Sequence, residues 1–200
     1  MRKMLCDKRD AEHLKAIELD DNVSQGSLND EYVKYFIKCL ELERKTGYKF
    51  KSRPDLHNRQ SAQPDYLFVE PDTGKLIAIE YTRIFESEER TKSTAFTMDE
   101  HIKHNTAPGL LGTPPWSINP PTPRELGGRL TEFFIRKLSK GQFNSFAHAE
   151  RILLCRNMWT DARIKHFSEA QPFIKIDALK NLCDHIYVVE HVHLDIIKIF

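Results

Sequence analysis

Apolar residues recur along this chain at periods that change from place to place, and each change marks an element. Tyr32, Val33, Phe36, Ile37 and Leu40 fall three and four apart, which predicts an amphipathic helix capped by Ser27 or Asn29, running to about Thr46 and stopped by Gly47. A charged helix over residues 8–20, with Leu14, Ile17 and Leu19 inward, is expected before it. Tyr48-Lys49-Phe50 reads as a short strand, and 51–63 as a polar connection.

The period then shortens to two. Pro64 to Val69 and Leu76 to Thr82 are β-branched and aromatic runs of strand length, joined by Glu70-Pro71-Asp72-Thr73-Gly74-Lys75. Pro71 presets φ for a tight turn and Gly74 supplies a left-handed backbone at its exit, so these residues predict a β-hairpin. A loop of Pro71 to Gly74 sets Glu70 against Lys75 as a charge pair, Val69 against Leu76, Leu67 against Ala78 and Asp65 against Glu80. Tyr66, Phe68, Ile77, Ile79 and Tyr81 share the other, apolar face, while Thr82 shares the face of Glu80.

Beyond the hairpin, residues 99–105 predict a short helix with His101 and His104 on one side, read as a surface pair in preference to metal ligands. Six of the ten prolines fall between 108 and 123, around Trp116. Glu125 to about Gly141 reads as a helix with Leu126, Leu130, Phe133, Phe134 and Leu138 apolar, Gly127-Gly128 as a weak or closely packed spot, and Lys137 and Lys140 on one face. Arg151 to Cys155 is a buried strand, 161–170 a helix, and 174–183 helical or irregular. His185 to Glu190 and Leu194 to Phe200 are closing strands, with His191 and His193 between them read as edge residues. This order predicts an α/β fold with a central mixed sheet flanked by helices.

Composition narrows the function classes. Two hundred residues with 40% hydrophobic and 30% charged content suit one soluble domain. The 30 basic and 29 acidic residues leave a net charge of +1, so a nucleic-acid surface has to be a local patch. Cys6, Cys39, Cys155 and Cys183 show no CxxC spacing, against a zinc site or a disulfide framework, and suggest a reducing, cytoplasmic setting. No apolar run approaches the roughly 18 residues of a membrane span, and no phosphate-loop, dinucleotide or zinc-protease motif is present.

The chemistry gathers at the hairpin. Two acids directly opposed, with Cβ atoms roughly 5 Å apart, destabilise a sheet unless a cation lies between them. Asp65 and Glu80 so placed look like half of a divalent-cation site with hard oxygen ligands. The competing reading makes them ends of exposed strand segments. Pro64-Asp65, fourteen residues (66–79), then Glu80-Tyr81-Thr82 resembles the signature of the PD-(D/E)xK nuclease superfamily, with Thr82 where that family usually carries lysine.

The resemblance implies a restriction-endonuclease-like fold: one nuclease-like domain over 1–200, with a helical extension at 1–27 and a proline-rich loop insertion at 105–123. It implies a hydrolase of phosphodiester bonds using Mg²⁺ or Mn²⁺, held by Asp65, Glu80 and the main-chain carbonyl of Tyr81. Glu31, from the helix before the hairpin, is a further ligand on this resemblance; alternatively it serves that helix's positive first turn. Thr82 has no charge to offer and is left to orient water or a ligand. Lys137 or Lys140, from the following helix, reaches the space of the missing lysine, or else both belong to a solvated basic face. Arg53, His57 and Arg59 are phosphate contacts or a solvated loop, and Trp116 a stacking platform or a loop anchor. The expected partner is nucleic acid, with DNA ahead of RNA, and a homodimer is one arrangement. Two alternatives stand beside this: a catalytically inactive nuclease-fold module binding nucleic acid or a protein, and an interaction protein built on the proline-rich loop.

Overall fold

The computed structural model describes residues 27–57, 62–84, 121–159, 162–190 and 195–200. In chain order these form α1 (Ser27–Arg44), β1 (Lys49–Ser52), α2 (Pro54–His57), β2 (Tyr66–Val69), β3 (Leu76–Ile84), α3 (Pro123–Leu138), β4 (Glu150–Asn157), α4 (Ile164–Ala170), β5 (His185–Glu190) and β6 (Ile196–Lys198). The fold is α/β. A six-stranded mixed sheet runs in the order β1-β2-β3-β4-β5-β6. β1, β2 and β3 pair antiparallel, β3, β4 and β5 parallel, and β6 closes the edge antiparallel to β5.

Alternation on the pleat divides the core into two layers. Val33, Phe36, Ile37 and Leu40 of α1 pack with Tyr66, Phe68, Ile77, Ile79, Ile152, Leu154 and Tyr187. Leu126, Leu130, Phe134 and Leu138 of α3 pack on the other face with Leu67, Ala78, Leu153 and Cys155, joined by Ile164 and Phe167 of α4. Covered on both sides, β3 and β4 carry near-continuous apolar runs, as buried parallel strands do. The α3 stripe starts cleanly because Thr122 and Glu125 form a reciprocal capping box with Pro123 in the first turn.

The hairpin register is the expected one: Val69 pairs with Leu76, Leu67 with Ala78 and Tyr66 with Ile79, and Gly74 is left-handed at φ 70°. β3 runs two residues further than the alternation suggested, to Ile84, because β4 pairs it to that point. The charge pair expected across the turn is replaced by other partners. The Glu70 carboxylate accepts from the Thr46 hydroxyl at 2.8 Å and from that of Thr73, while Lys75 reaches the buried Glu150 at 2.6 Å. A buried carboxylate needs cations more than one at an exposed turn does.

α1 also ends differently. It stops at Arg44, and the left-handed residue is Lys45, φ 55°, rather than Gly47. Arg44 forms a two-pronged pair with Glu150, and the Glu41 carboxylate accepts the Tyr48 N–H at 2.8 Å, so side-chain contacts fix the exit that a glycine cap was expected to make. The stretch at 174–183 contains a 3₁₀ turn at Ile176–Ala178. Cys155 and Cys183 are free and buried, but Cys39 is disulfide-bonded, against the expectation of reduced thiols. No helix among the described residues is long and apolar enough to cross a membrane.

Candidate metal centre

Antiparallel ladders alternate between hydrogen-bonded pairs and closer, non-bonded pairs. Glu70 and Lys75 are a bonded pair, N–H to carbonyl at 2.9 Å. Stepping inward, Phe68–Ile77 and Tyr66–Ile79 are bonded positions, whereas Val69–Leu76 and Leu67–Ala78 are not. The ladder ends at Tyr66–Ile79, and Asp65 is the next residue, close enough that the charge of Glu80 acts on its carboxyl. The next position pairs 64 with 81, and there Pro64 has no N–H to give. The chain bends at Asp65 instead, and the Tyr81 N–H is taken by Asp65 Oδ2 at 2.7 Å. The N–H and C=O of a ladder residue face the same neighbouring strand, so the Tyr81 carbonyl is directed to the Asp65 side, opposite a residue that lacks a donor.

Glu80 is 4% exposed. Its Oε1 receives the Lys137 ammonium at 2.6 Å and the Gln142 Nε2 at 3.4 Å. Its Oε2 is buried with no hydrogen-bond partner among the described residues, and so is Gln142 Oε1, while the Asp65 backbone N–H acts on the Glu80 carboxyl and lowers it. Such orphans cost about 1–3 kcal/mol each unless something supplies a positive charge or a donor. Lys137 arrives from the last turn of α3, on the side of the sheet that Glu80 faces, whereas Lys140 lies past the helix end and is exposed.

Burial, then the charge of Glu80, pushes the Asp65 carboxyl up to about 7 against the opposing Tyr81 N–H. Burial raises Glu80 as well, against the Lys137 ammonium, which lowers it. Asp55, in the first turn of α2, acts on both as a third negative charge. No strand follows Pro54-Asp55 directly, so no alternating period marks it in the sequence. Lys137 is the ammonium that meets Glu80 directly, at 2.6 Å. Among the described residues no three or more histidine, cysteine or acidic side chains are grouped so as to hold a metal unaided.

Glu31 does not join them. Its side chain is 67% exposed and pairs with Lys34 at 3.3 Å, three residues on in α1. Thr82 is half-buried beside Cys155 in register, two residues along from Glu80. Arg53 covers the Tyr66 ring, 4.7 Å from its centroid, and donates to the Tyr66 hydroxyl at 3.2 Å, which places it against the hairpin. The side chain of His57, together with Arg59, His101, His104, Trp116, His191 and His193, lies outside the described residues, as do the 8–20 helix and nearly all of the proline-rich stretch. Gln142 was not foreseen: it follows the left-handed Gly141 in a turn, where no periodicity marks it.

No protein-family model, curated protein or solved structure matches this chain.

Proposed function

We propose that this chain is a divalent-metal-dependent nuclease of restriction-endonuclease-like fold, acting on nucleic acid, with DNA the favoured substrate. The observation that supports it best is Glu80: a nearly fully buried carboxylate with one oxygen on Lys137, the other without a hydrogen-bond partner among the described residues, and Asp65 next to the end of the hairpin ladder. Asp65, Glu80 and the Tyr81 carbonyl are the groups that would hold Mg²⁺ or Mn²⁺. The cation, when bound, acidifies water and offsets the charge that grows on the phosphorus oxygens.

The chain's own residues supply the rest. Lys137 brings from α3 the ammonium that Thr82 cannot supply from β3, and it faces the same carboxylate a strand lysine two residues on would face. In the reaction, water oxygen forms a new bond to phosphorus, the ester P–O bond breaks, and the water's proton passes through solvent to the leaving oxygen. Lys137 stabilises the negative charge of that transition state. Thr82, on the same face, is placed to orient water or phosphate through its hydroxyl.

Incubating wild-type protein and Glu80→Ala with plasmid, linear and single-stranded DNA, and with RNA, in Mg²⁺ and in Mn²⁺ tests the proposal. Cleavage by the wild type and its loss in Glu80→Ala is expected; equal cleavage by both, or none by either, counts against it. The 2.6 Å Lys137–Glu80 pair favours a second reading, a catalytically inactive nuclease-fold module, because it already balances one carboxylate without metal. Metal binding without cleavage of any substrate is the outcome that selects it.

A further inference from the structure

Two acceptor oxygens at the centre are buried without hydrogen-bond partners, and they belong to neighbouring side chains: Glu80 Oε2 and Gln142 Oε1. Gln142 is only 6% exposed. Its amide orientation is fixed by chemistry, since the group 3.4 Å from Glu80 Oε1 has to be the donating Nε2, leaving Oε1 to accept. The turn that brings it there is specific. Gly141 is left-handed at φ 79°, its N–H bonds the Leu138 carbonyl at 3.1 Å, and a Cβ on it would lie 2.7 Å from Asn144 Nδ2. A purely structural glutamine, donating to steady Glu80, needs no acceptor buried beside a second acceptor.

We propose that Gln142 is a positioning residue whose Oε1 accepts a hydrogen bond from the attacking water and aligns it beside Glu80. Glu80 Oε2 is left to the cation and Gln142 Oε1 takes one proton of the attacking water, while Nε2 donates to Glu80 Oε1 and keeps the carboxylate turned. The inference rests on the nuclease reading above and assigns to a neutral amide, outside the acidic pair, the geometry of the nucleophile.

The charge-neutral Gln142→Met keeps the length of the side chain and loses both ends of the amide. Expected for Gln142→Met is a fall of about 10- to 100-fold in kcat with KM little changed, the range typical of groups that orient a metal site from outside. The independent readout is Mn²⁺ titration followed by water-proton relaxation, which needs no turnover. Gln142→Met should alter the relaxation of the loaded protein while Mn²⁺ affinity stays within about threefold. Unchanged kcat and relaxation in Gln142→Met would overturn the assignment and leave only a donor to Glu80. If the wild type binds Mn²⁺ but cleaves nothing, the nuclease reading fails on its own, and an unaltered relaxation in Gln142→Met then shows separately that Gln142 orders no water.

Discussion

An ionised Asp65 meets the charge of Glu80 where water is scarce, and this gives the protein a particular pH dependence. The Asp65 carboxyl is held at about 7, against 3.8 for an ordinary aspartate. Between those values the folded chain keeps a proton that the unfolded chain has released, so the stability due to this group is complete below 3.8 and is lost as pH rises towards about 7. Asp65→Asn removes the penalty. In chelator it should melt higher than the wild type above neutrality, with the gap closing in acid; parallel melting profiles across the range would contradict the burial argument. Asp65 and Glu80 were legible because a turn and an alternating pattern fix a register without further information. Asp55 and Gln142 were not, since one sits in a single helical turn and the other in a glycine turn, and neither has a period to mark it.

At the scale of elements, the same reasoning sorts α3. Its start was readable in Thr122-Pro123-Arg124-Glu125, a capping-box spelling, yet the apolar stripe alone suggests a beginning two residues late. The glycine pair in its second turn splits into two different positions. A Cβ on Gly127 would lie 2.6 Å from Phe173 Cβ and 2.9 Å from the Ala170 carbonyl oxygen, so close approach of α3 to the end of α4 requires glycine there. Gly128 faces open space. Gly127→Ala should therefore destabilise by about 1–3 kcal/mol, and Gly128→Ala should stabilise by up to about 1 kcal/mol, in chemical denaturation. Equal effects would mean that α3 does not pack as described. The hairpin and α1 were legible for similar reasons, whereas the exit of α1 was not, because Arg44 is drawn to a glutamate 106 residues away.

Across the whole molecule that glutamate is the knot. Glu150 opens β4 and receives Arg44 from α1, Lys75 from the hairpin at 2.6 Å, and His185 of β5 within 3.5 Å, tying four parts of the chain together on the α1 side of the sheet. Burial alone would raise its carboxyl, but the hydrogen bonds from Arg44 and Lys75 hold it below the usual 4.5. Its contribution is thus present above 4.5 and lost as pH falls below it, the reverse of Asp65. Glu150→Gln should cost about 2 kcal/mol or more near neutrality, and less in acid. Sequence spacing could not reveal this network, since its members are joined only by the sheet order. The centre on the opposite face is also read at this scale, because a ligand that binds only the folded state raises its melting temperature, by about 2.7 kcal/mol of stability at a hundred times its Kd. The most direct test is the melting temperature of wild type and Asp65→Ala across a Mn²⁺ titration. A rise in the wild type that Asp65→Ala abolishes is the expected result, and no rise at saturating metal, or the same rise in both proteins, would contradict a cation shared by Asp65 and Glu80.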